Sequence, residues 1–351
     1  MNIQVPYQIG LVYIANLKKV WDTEMNNVGL LIFCDNDKRE KKNIFAFLEG
    51  IKKLFCIKIK RLFSTELPEN SVKKITVARD FSLFFIRLPY SLDELKKLRR
   101  FTIRRIQKMV LKVCHDNSIK KCIYPQNAPD EIMDGFSIKN PFSGNFIYVS
   151  LLVNILKLLS INRDINIREF NIAILDTNSR NLLHFFIKQL SPLAKFLTII
   201  TKEKELIQKE IEDVFDDTGL SVRVTDDIAS GLDGINVFIN IGNLGEFTSR
   251  KKIICNAVVI NYGDMKSDQV KFTGEVINRI NVGLPAGVEG LIDEEFLNYF
   301  SRIEIAEIIF VNKLNIRTNI FKNFADYNNM KGISEQFEEE GYIISLPKAT
   351  G

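Results

Sequence analysis

Histidine is nearly absent from this chain, with 2 among 351 residues, and cysteine is sparse and odd in number at 5. Cys34, Cys56, Cys114, Cys122 and Cys255 are scattered without a CxxC pair, so a reducing cytosol and no zinc site fit best. No apolar run reaches the roughly 20 residues needed to cross a bilayer. The most apolar stretch, Phe146 to Ile161, is interrupted by Asn154 and Lys157 and reads as a buried helix. Met1 to Leu17 alternates polar and apolar residues instead of placing a charged leader before an apolar core, so export is not expected. Internal repeats and low-complexity tracts are also missing. What remains, 46% hydrophobic and 26% charged, suits a soluble globular chain long enough for two domains.

The formal net charge of +5 hides an asymmetry. Up to about residue 130, Lys and Arg outnumber Asp and Glu roughly two to one, and the remainder is mildly acidic. A basic half favours nucleotide phosphates, nucleic acid, anionic lipid or an acidic carrier protein, and attraction between domains accounts for it equally well. After Ser91 and Asp93, the residues Leu95, Leu98, Ile106, Met109, Val110 and Val113 recur at helical spacing and predict a helix over about 92 to 115. Its other faces carry Arg99, Arg100, Arg104 and Arg105 among further lysines, a candidate surface for an acidic protein or nucleic acid. A merely solvated face has the same pattern.

The strand-like runs Ile9 to Ile14, Gly29 to Cys34 and Leu83 to Leu88, mixed with helical segments, predict a basic α+β domain over residues 1–145. Pro125, Pro129, Gly135, Pro141 and Gly144 then punctuate a connection to an apolar helix from about Phe146 to Leu159. From Phe170 the pattern becomes regular: strand Asn171 to Leu175, helix Asn181 to Leu190, strand Phe196 to Thr201, helix Glu203 to Phe215. Strands Leu220 to Val224, Ile235 to Ile241 and Ile253 to Ile260 follow. Alternating units of this kind predict an α/β, Rossmann-like doubly wound parallel sheet over residues 146–290, lead-in helix included. The remainder, 291–351, reads as a helical segment, Arg302 to Phe324 and then Ser334 to Glu340, that packs back on the domains or forms a subunit contact in a homo-oligomer.

A ligand on such a sheet sits beyond the carboxyl ends of the strands. The candidate positions are Asp176, Thr177, Asn178, Ser179, Thr201, Lys202, Asn240, Gly242 and Gly283. Dinucleotide folds place a glycine-rich turn after the first strand so that the pyrophosphate reaches a helix N-terminus. Here that turn reads Asp176-Thr177-Asn178-Ser179-Arg180-Asn181-Leu182 and contains no glycine. A carboxylate stands where the pyrophosphate would lie, and Leu182 replaces a small residue, so both changes oppose NAD(P) binding. Thr201-Lys202-Glu203-Lys204 points the other way, because a hydroxyl with nearby lysines suits a ribose 2′-phosphate and so NADP(H). Asp216/Asp217 and Asp226/Asp227 read as solvated turns, His115 and His184 have no evident sequence partner, and Cys255 reads as a buried thiol. Gly283, Gly287 and Gly290 read either as a close approach to a ligand or as a turn before a helix at Asp293 to Phe300.

Over about residues 95 to 345 the chain resembles the long-chain acyl-carrier-protein reductases, relatives of the shikimate dehydrogenase and glutamyl-tRNA reductase type. The order of elements carries the resemblance, together with Arg99 to Cys114, Ser143-Gly144-Asn145, Val259 to Gly263 and Asn328 to Tyr342. It implies a Rossmann fold, NADPH, and a cysteine nucleophile attacking an acyl thioester after the sixth strand. The matching segment, Asn281 to Gly290, contains no cysteine. The departures fall on both the cofactor cradle and the nucleophile. The resulting expectation is a pseudoenzyme that keeps an oxidoreductase fold as a binding or scaffolding module without a cofactor. The alternatives are an active NADPH-dependent reductase of an acyl or small carbonyl substrate and an anion binder acting through the four arginines.

Overall fold

The computed structural model describes residues 27–33, 67, 71–78, 81–119, 121–128, 137–140, 142–177, 180–247, 249, 252–313 and 327–347. The expected strand at Ile9 to Ile14, and Asn178 and Ser179 of the first crossover, lie outside the described residues. By its internal packing the chain falls into two compact units, Met1–Ser143 with Ala286–Thr318 and Gly144–Pro285 with Asn319–Gly351. No helix among the described residues is long and apolar enough to cross a membrane.

The first unit opens with β1 (Asn27–Phe33), β2 (Val72–Ala78), β3 (Phe81–Leu88), α1 (Leu92–Lys96), α2 (Arg100–Asp116), β4 (Lys121–Tyr124) and β5 (Ser137–Lys139). β1 reads Asn-Val-Gly-Leu-Leu-Ile-Phe and is buried from Val28 to Phe33. Such continuous burial belongs to a parallel strand covered on both faces. It lies between β3 and β4 and runs parallel to both, with β4 in turn parallel to β5. Only β2 is antiparallel, at the edge beside β3, where Lys73 and Lys74 discourage further strand pairing. The sheet is thus mixed and mostly parallel, which departs from the α+β expectation.

The helix expected over 92–115 is two. Ser91 caps α1 through a reciprocal box in which its Oγ accepts from Glu94 N–H at 3.2 Å and Glu94 Oε2 accepts from Ser91 N–H at 3.0 Å. The helix stops at Lys97, and α2 restarts after Arg99, which offers no side-chain cap. One core still takes both apolar stripes, since Leu95, Ile106 and Val110 pack with Leu31, Phe84 and Ile86.

The second unit contributes α3 (Asn145–Ser150), α4 (Leu152–Arg163), β6 (Asn171–Leu175), α5 (Arg180–Leu190), β7 (Phe196–Ile200), α6 (Lys204–Thr218), β8 (Val222–Thr225), α7 (Ile228–Gly231), β9 (Val237–Asn240), β10 (Ile253–Cys255), β11 (Val258–Asn261), β12 (Val270–Phe272), β13 (Val276–Ile277) and β14 (Asn281–Gly283). Its main sheet has six strands in the order β13-β11-β9-β6-β7-β8, every pair parallel. Counted from β6, that order is 3-2-1-4-5-6 read backwards, the doubly wound order of dinucleotide folds. Ile172 and Ile174 face one side of β6 and Ala173 and Leu175 the other, and all four are buried, as helices on both faces require.

The expected strand from Ile253 to Ile260 splits, with β10 pairing β12 in a separate ladder while β11 enters the main sheet. The break is tight, because a Cβ on Gly274 would lie 2.1 Å from the Ala257 carbonyl oxygen.

The C-terminal residues divide between the units. α8 (Ala286–Glu289), α9 (Glu294–Leu297) and α10 (Arg302–Lys313) belong to the first. There Arg87 pairs with Glu295 at 2.7 Å, Lys73 with Asp293 at 3.2 Å, and the Phe85 and Phe296 rings stand 4.2 Å apart. α11 (Tyr327–Glu339) and β15 (Ile343–Ser345) belong to the second. α11 is tied to α4 by hydrogen bonds from Ser334 Oγ to Asn154 Oδ1 and from Asn154 Nδ2 to Glu338 Oε1.

Candidate functional site

In the second unit the strand order reverses between β6 and β9, and the loops leaving the carboxyl ends of β6, β9 and β11 meet there. Each of β9 and β11 ends in asparagine followed by any residue and glycine: Asn240-Ile241-Gly242 and Asn261-Tyr262-Gly263. The two turns are built alike. Asn240 Oδ1 accepts from Gly242 N–H at 3.2 Å, and Asn261 Oδ1 accepts from Gly263 N–H at 3.2 Å. The amide groups then link sideways. Asn240 Nδ2 donates to Asn261 Oδ1 at 2.9 Å, and Asn261 Nδ2 donates to Asn278 Oδ1, just past β13, at 2.8 Å. Asn240 Nδ2 also donates to the Asp264 carbonyl at 3.2 Å. A ladder of three carboxamides therefore crosses the strand ends, its donors and acceptors turned on one another.

The glycines of these turns are close-approach positions. A Cβ on Gly242 would fall 2.7 Å from the Thr177 backbone nitrogen and 2.9 Å from its Oγ1. One on Gly263 would fall 2.1 Å from the Gly242 carbonyl oxygen. Three loops are thus stacked backbone on backbone in the order Thr177, Gly242, Gly263. Thr177 Oγ1 accepts from Asn243 N–H at 3.2 Å, and Gly242 C=O accepts from Asp264 N–H at 2.8 Å. Asp176, immediately before the contact, is only 4% exposed, and its N–H continues the ladder to Ile200 C=O at 3.0 Å.

Next to the asparagine ladder the unit is aromatic. The Tyr262 ring lies 4.4 Å from that of Tyr148 and 5.1 Å from that of Phe186. Tyr148 O–H donates to Ile277 C=O at 2.7 Å, and Tyr262 O–H donates to Tyr148 C=O at 3.4 Å. Burial pushes both phenols above their ordinary acidity range, and at Tyr262 the neighbouring Tyr148 adds to the effect.

The candidate positions from the sequence are therefore not all brought together. Asp176, Thr177, Asn240 and Gly242 converge. Thr201 is buried at the end of β7, where its Oγ1 accepts from Glu203 N–H at 3.2 Å and its N–H donates to Thr225 C=O at 2.9 Å. Lys202 is exposed and lies over the Phe247 ring at 5.5 Å. Lys204 pairs with Asp226 at 2.8 Å, which lowers that exposed carboxyl's pKa. Gly283 stands apart, in β14, where it is registered with Ile343 of the antiparallel β15. His184 Nδ1 stands 3.6 Å from Glu210 between α5 and α6, and His115 is exposed. Among the described residues no three His, Cys, Asp or Glu side chains stand together as a metal site.

Asn261, Asn278 and Tyr148 were not among the sequence candidates. Asn261 had a visible signal, because Asn261-Tyr262-Gly263 repeats the Asn240-Ile241-Gly242 of the preceding strand end, whereas Asn278, followed by Arg279 and Ile280, had none. Tyr148 had none, since it is one aromatic residue within an apolar helix.

No family model and no curated protein matches the sequence. Among solved structures the chain is weakly similar to NAD-dependent reductases and dehydrogenases, alongside carbamoyltransferases. L-tryptophan dehydrogenase from Nostoc punctiforme is 11% identical with a TM-score of 0.29, the match covering 90% of this chain and 83% of that one. The catalytic subunit of aspartate transcarbamoylase from M. jannaschii is 13% identical at a TM-score of 0.28, covering 76% and 86%. For Δ1-pyrroline-2-carboxylate reductase from Thermococcus litoralis, solved with NADH and L-proline, the values are 7% and 0.23, and the match spans 34% of this chain and 36% of that one. At such scores the likenesses carry no argument about ligand, and the doubly wound order rests on the strand pairing itself.

Proposed function

We propose that the second unit is a dehydrogenase-type Rossmann sheet that does not seat a nicotinamide dinucleotide across its first crossover, and that the protein works as a binding or scaffolding module. One observation carries this reading: the turn after β6, where a dinucleotide site has its glycines, has none, and its Thr177 backbone is packed against Gly242 of the turn after β9. In a dinucleotide site, glycine leaves room for the pyrophosphate. Here the room left by Gly242 belongs to Thr177, and that left by Gly263 belongs to Gly242. Asp176, buried directly before Thr177, puts an acidic side chain where the turn after β6 begins. On this reading the described residues of the crossover do not fit the diphosphate, and hydride transfer from a nicotinamide is not part of the function. Thr201 and Lys202, the residues that favoured NADP(H), are engaged with Glu203 and Phe247. Calorimetric titration of the full chain with NADPH and with NADH tests the reading. No saturable heat is expected, and micromolar affinity for either dinucleotide overturns it.

A second reading has an observation of its own. Arg99, Arg100 and Arg104 are exposed around Phe101, itself 76% exposed, and the first turn of α2 contains no acidic residue. Cations at a helix N-terminus oppose the helix dipole, and a bound polyanion would relieve that opposition. The anionic partner proposed from the arginines thus has a surface where charge and an aromatic face combine. Binding of a fluorescent single-stranded oligonucleotide is expected to weaken steeply with salt and to be lost in an Arg99→Glu, Arg100→Glu, Arg104→Glu variant. Salt-independent binding, or none, removes this reading.

A further inference from the structure

Away from the strand ends of the second unit, the first unit brings two thiols together. Cys114 lies in the last turn of α2, on the stripe that continues Ile106 and Val110 into the core. The chain then reverses through Asn117 and Ser118, the latter in the left-handed region at φ 53°. Ile119 N–H closes that reversal on Cys114 C=O at 2.7 Å. Cys122 follows as the second residue of β4, and its Sγ lies 3.1 Å from that of Cys114. A disulfide holds its sulfurs about 2.05 Å apart, so closing the bond moves them by only about 1 Å. β1 accommodates the pair: a Cβ on Gly29 would come within 2.7 Å of Cys122 Sγ, and glycine leaves that space to the sulfur.

We propose that Cys114 and Cys122 are a redox modification site, oxidised by a peroxide to an intramolecular disulfide and returned by a thiol reductant. The two sulfurs have different parts. Cys114 is the outer one at 8% exposure, against 0% for Cys122. The hydrogen bond from Cys122 holds the Cys114 thiol below its ordinary pKa, whereas that same contact and burial keep Cys122 protonated. The Cys114 thiolate attacks one peroxide oxygen and breaks the O–O bond. It becomes a sulfenic acid, and the departing hydroxide takes up a proton to form water. Cys122 sulfur then attacks Cys114 sulfur, its S–H proton leaving with the sulfenic hydroxyl as a second water. Two thiols are oxidised by two electrons, and one peroxide is reduced to two waters. The new bond ties the last turn of α2 directly to β4, at the far end of the helix from Arg99 and Arg100.

The test uses the full chain with hydrogen peroxide, followed by alkylation of remaining thiols, trypsin digestion without reductant and mass spectrometry. Cleavage after Lys112, Lys120, Lys121 and Lys139 puts Cys114 and Cys122 on separate peptides, residues 113–120 and 122–139. The expected result is a linked pair lighter by two hydrogen atoms than the sum of the two, which dithiothreitol separates again. In a Cys122→Ser variant, Cys114 is expected to stop at the sulfenic acid and to be captured by dimedone. The proposal is overturned if wild-type protein leaves both peptides alkylated. It is equally overturned if Cys114 passes to the sulfinic acid with Cys122 still alkylated, or if the cross-links formed join Cys34, Cys56 or Cys255 instead. The wild-type readout does not depend on the variant folding.

Discussion

A single methyl group discriminates among the glycines of this chain. Gly263 meets the Gly242 carbonyl and Gly242 meets the Thr177 amide, both backbone atoms that cannot rotate away. Gly287, in α8, meets nothing within 4 Å. Gly263→Ala is therefore expected to destabilise the protein by about 1–3 kcal/mol through overpacking, read as a fall in the urea midpoint. Gly287→Ala is expected to stay within about 0.5 kcal/mol of wild type. Equal effects of the two substitutions would mean that the strand-end loops are not packed backbone on backbone. Asn240, fully buried, makes the same point for side chains. Its carboxamide serves Gly242, Asn261 and Asp264 at once, so Asn240→Ala leaves buried partners unsatisfied and is expected to cost about 1–3 kcal/mol.

For whole elements, the second unit was legible in the sequence because its strands are short, apolar and separated by helices of the right period. The prediction of Asn171 to Leu175 coincides with β6, and the predicted helix Asn181 to Leu190 differs from α5 by one residue. Continuity misled where a local terminator was needed. Over 92–115 the apolar stripe hid the stop at Lys97, and over 253–260 a run of strand-formers hid the switch between two ladders. The site was legible in part. Asp176, Thr177, Asn240 and Gly242 could be placed at the crevice from topology alone, but no spacing reveals that Gly242 packs against the Thr177 backbone. That depends on how three loops far apart in sequence approach one another. At this scale Ser91 tests the terminator logic. Ser91→Ala removes the acceptor from Glu94 N–H and is expected to cost about 0.5–2 kcal/mol, whereas Ser91→Asp, which keeps an acceptor, is expected to restore most of that loss.

Across the molecule, each unit has its own sheet and core, and the pH response of folding is expected to come from the second unit's tyrosines. Tyr148 is buried against the ring of the half-buried Tyr262, and Tyr342 is buried beside the Phe337 ring at 4.5 Å. Burial raises all three phenols, so the folded chain holds these protons more tightly than the unfolded chain. Below the unfolded tyrosine pKa of about 10 both states are protonated and the contribution is fully present. Above it the unfolded chain ionises first and binds fewer protons, so stability falls with rising pH until the folded phenols also ionise. Lysines lose charge over part of the same range, and a variant separates the two causes. Tyr148→Phe keeps the ring against Tyr262 and removes one ionisable group together with its bond to Ile277 C=O. Its urea midpoint is expected to lie below that of wild type at neutral pH and to decline less steeply between roughly pH 9 and 11. Parallel declines for the two proteins would show that Tyr148 exchanges its proton equally well in both states, which its placement beneath Tyr262 forbids.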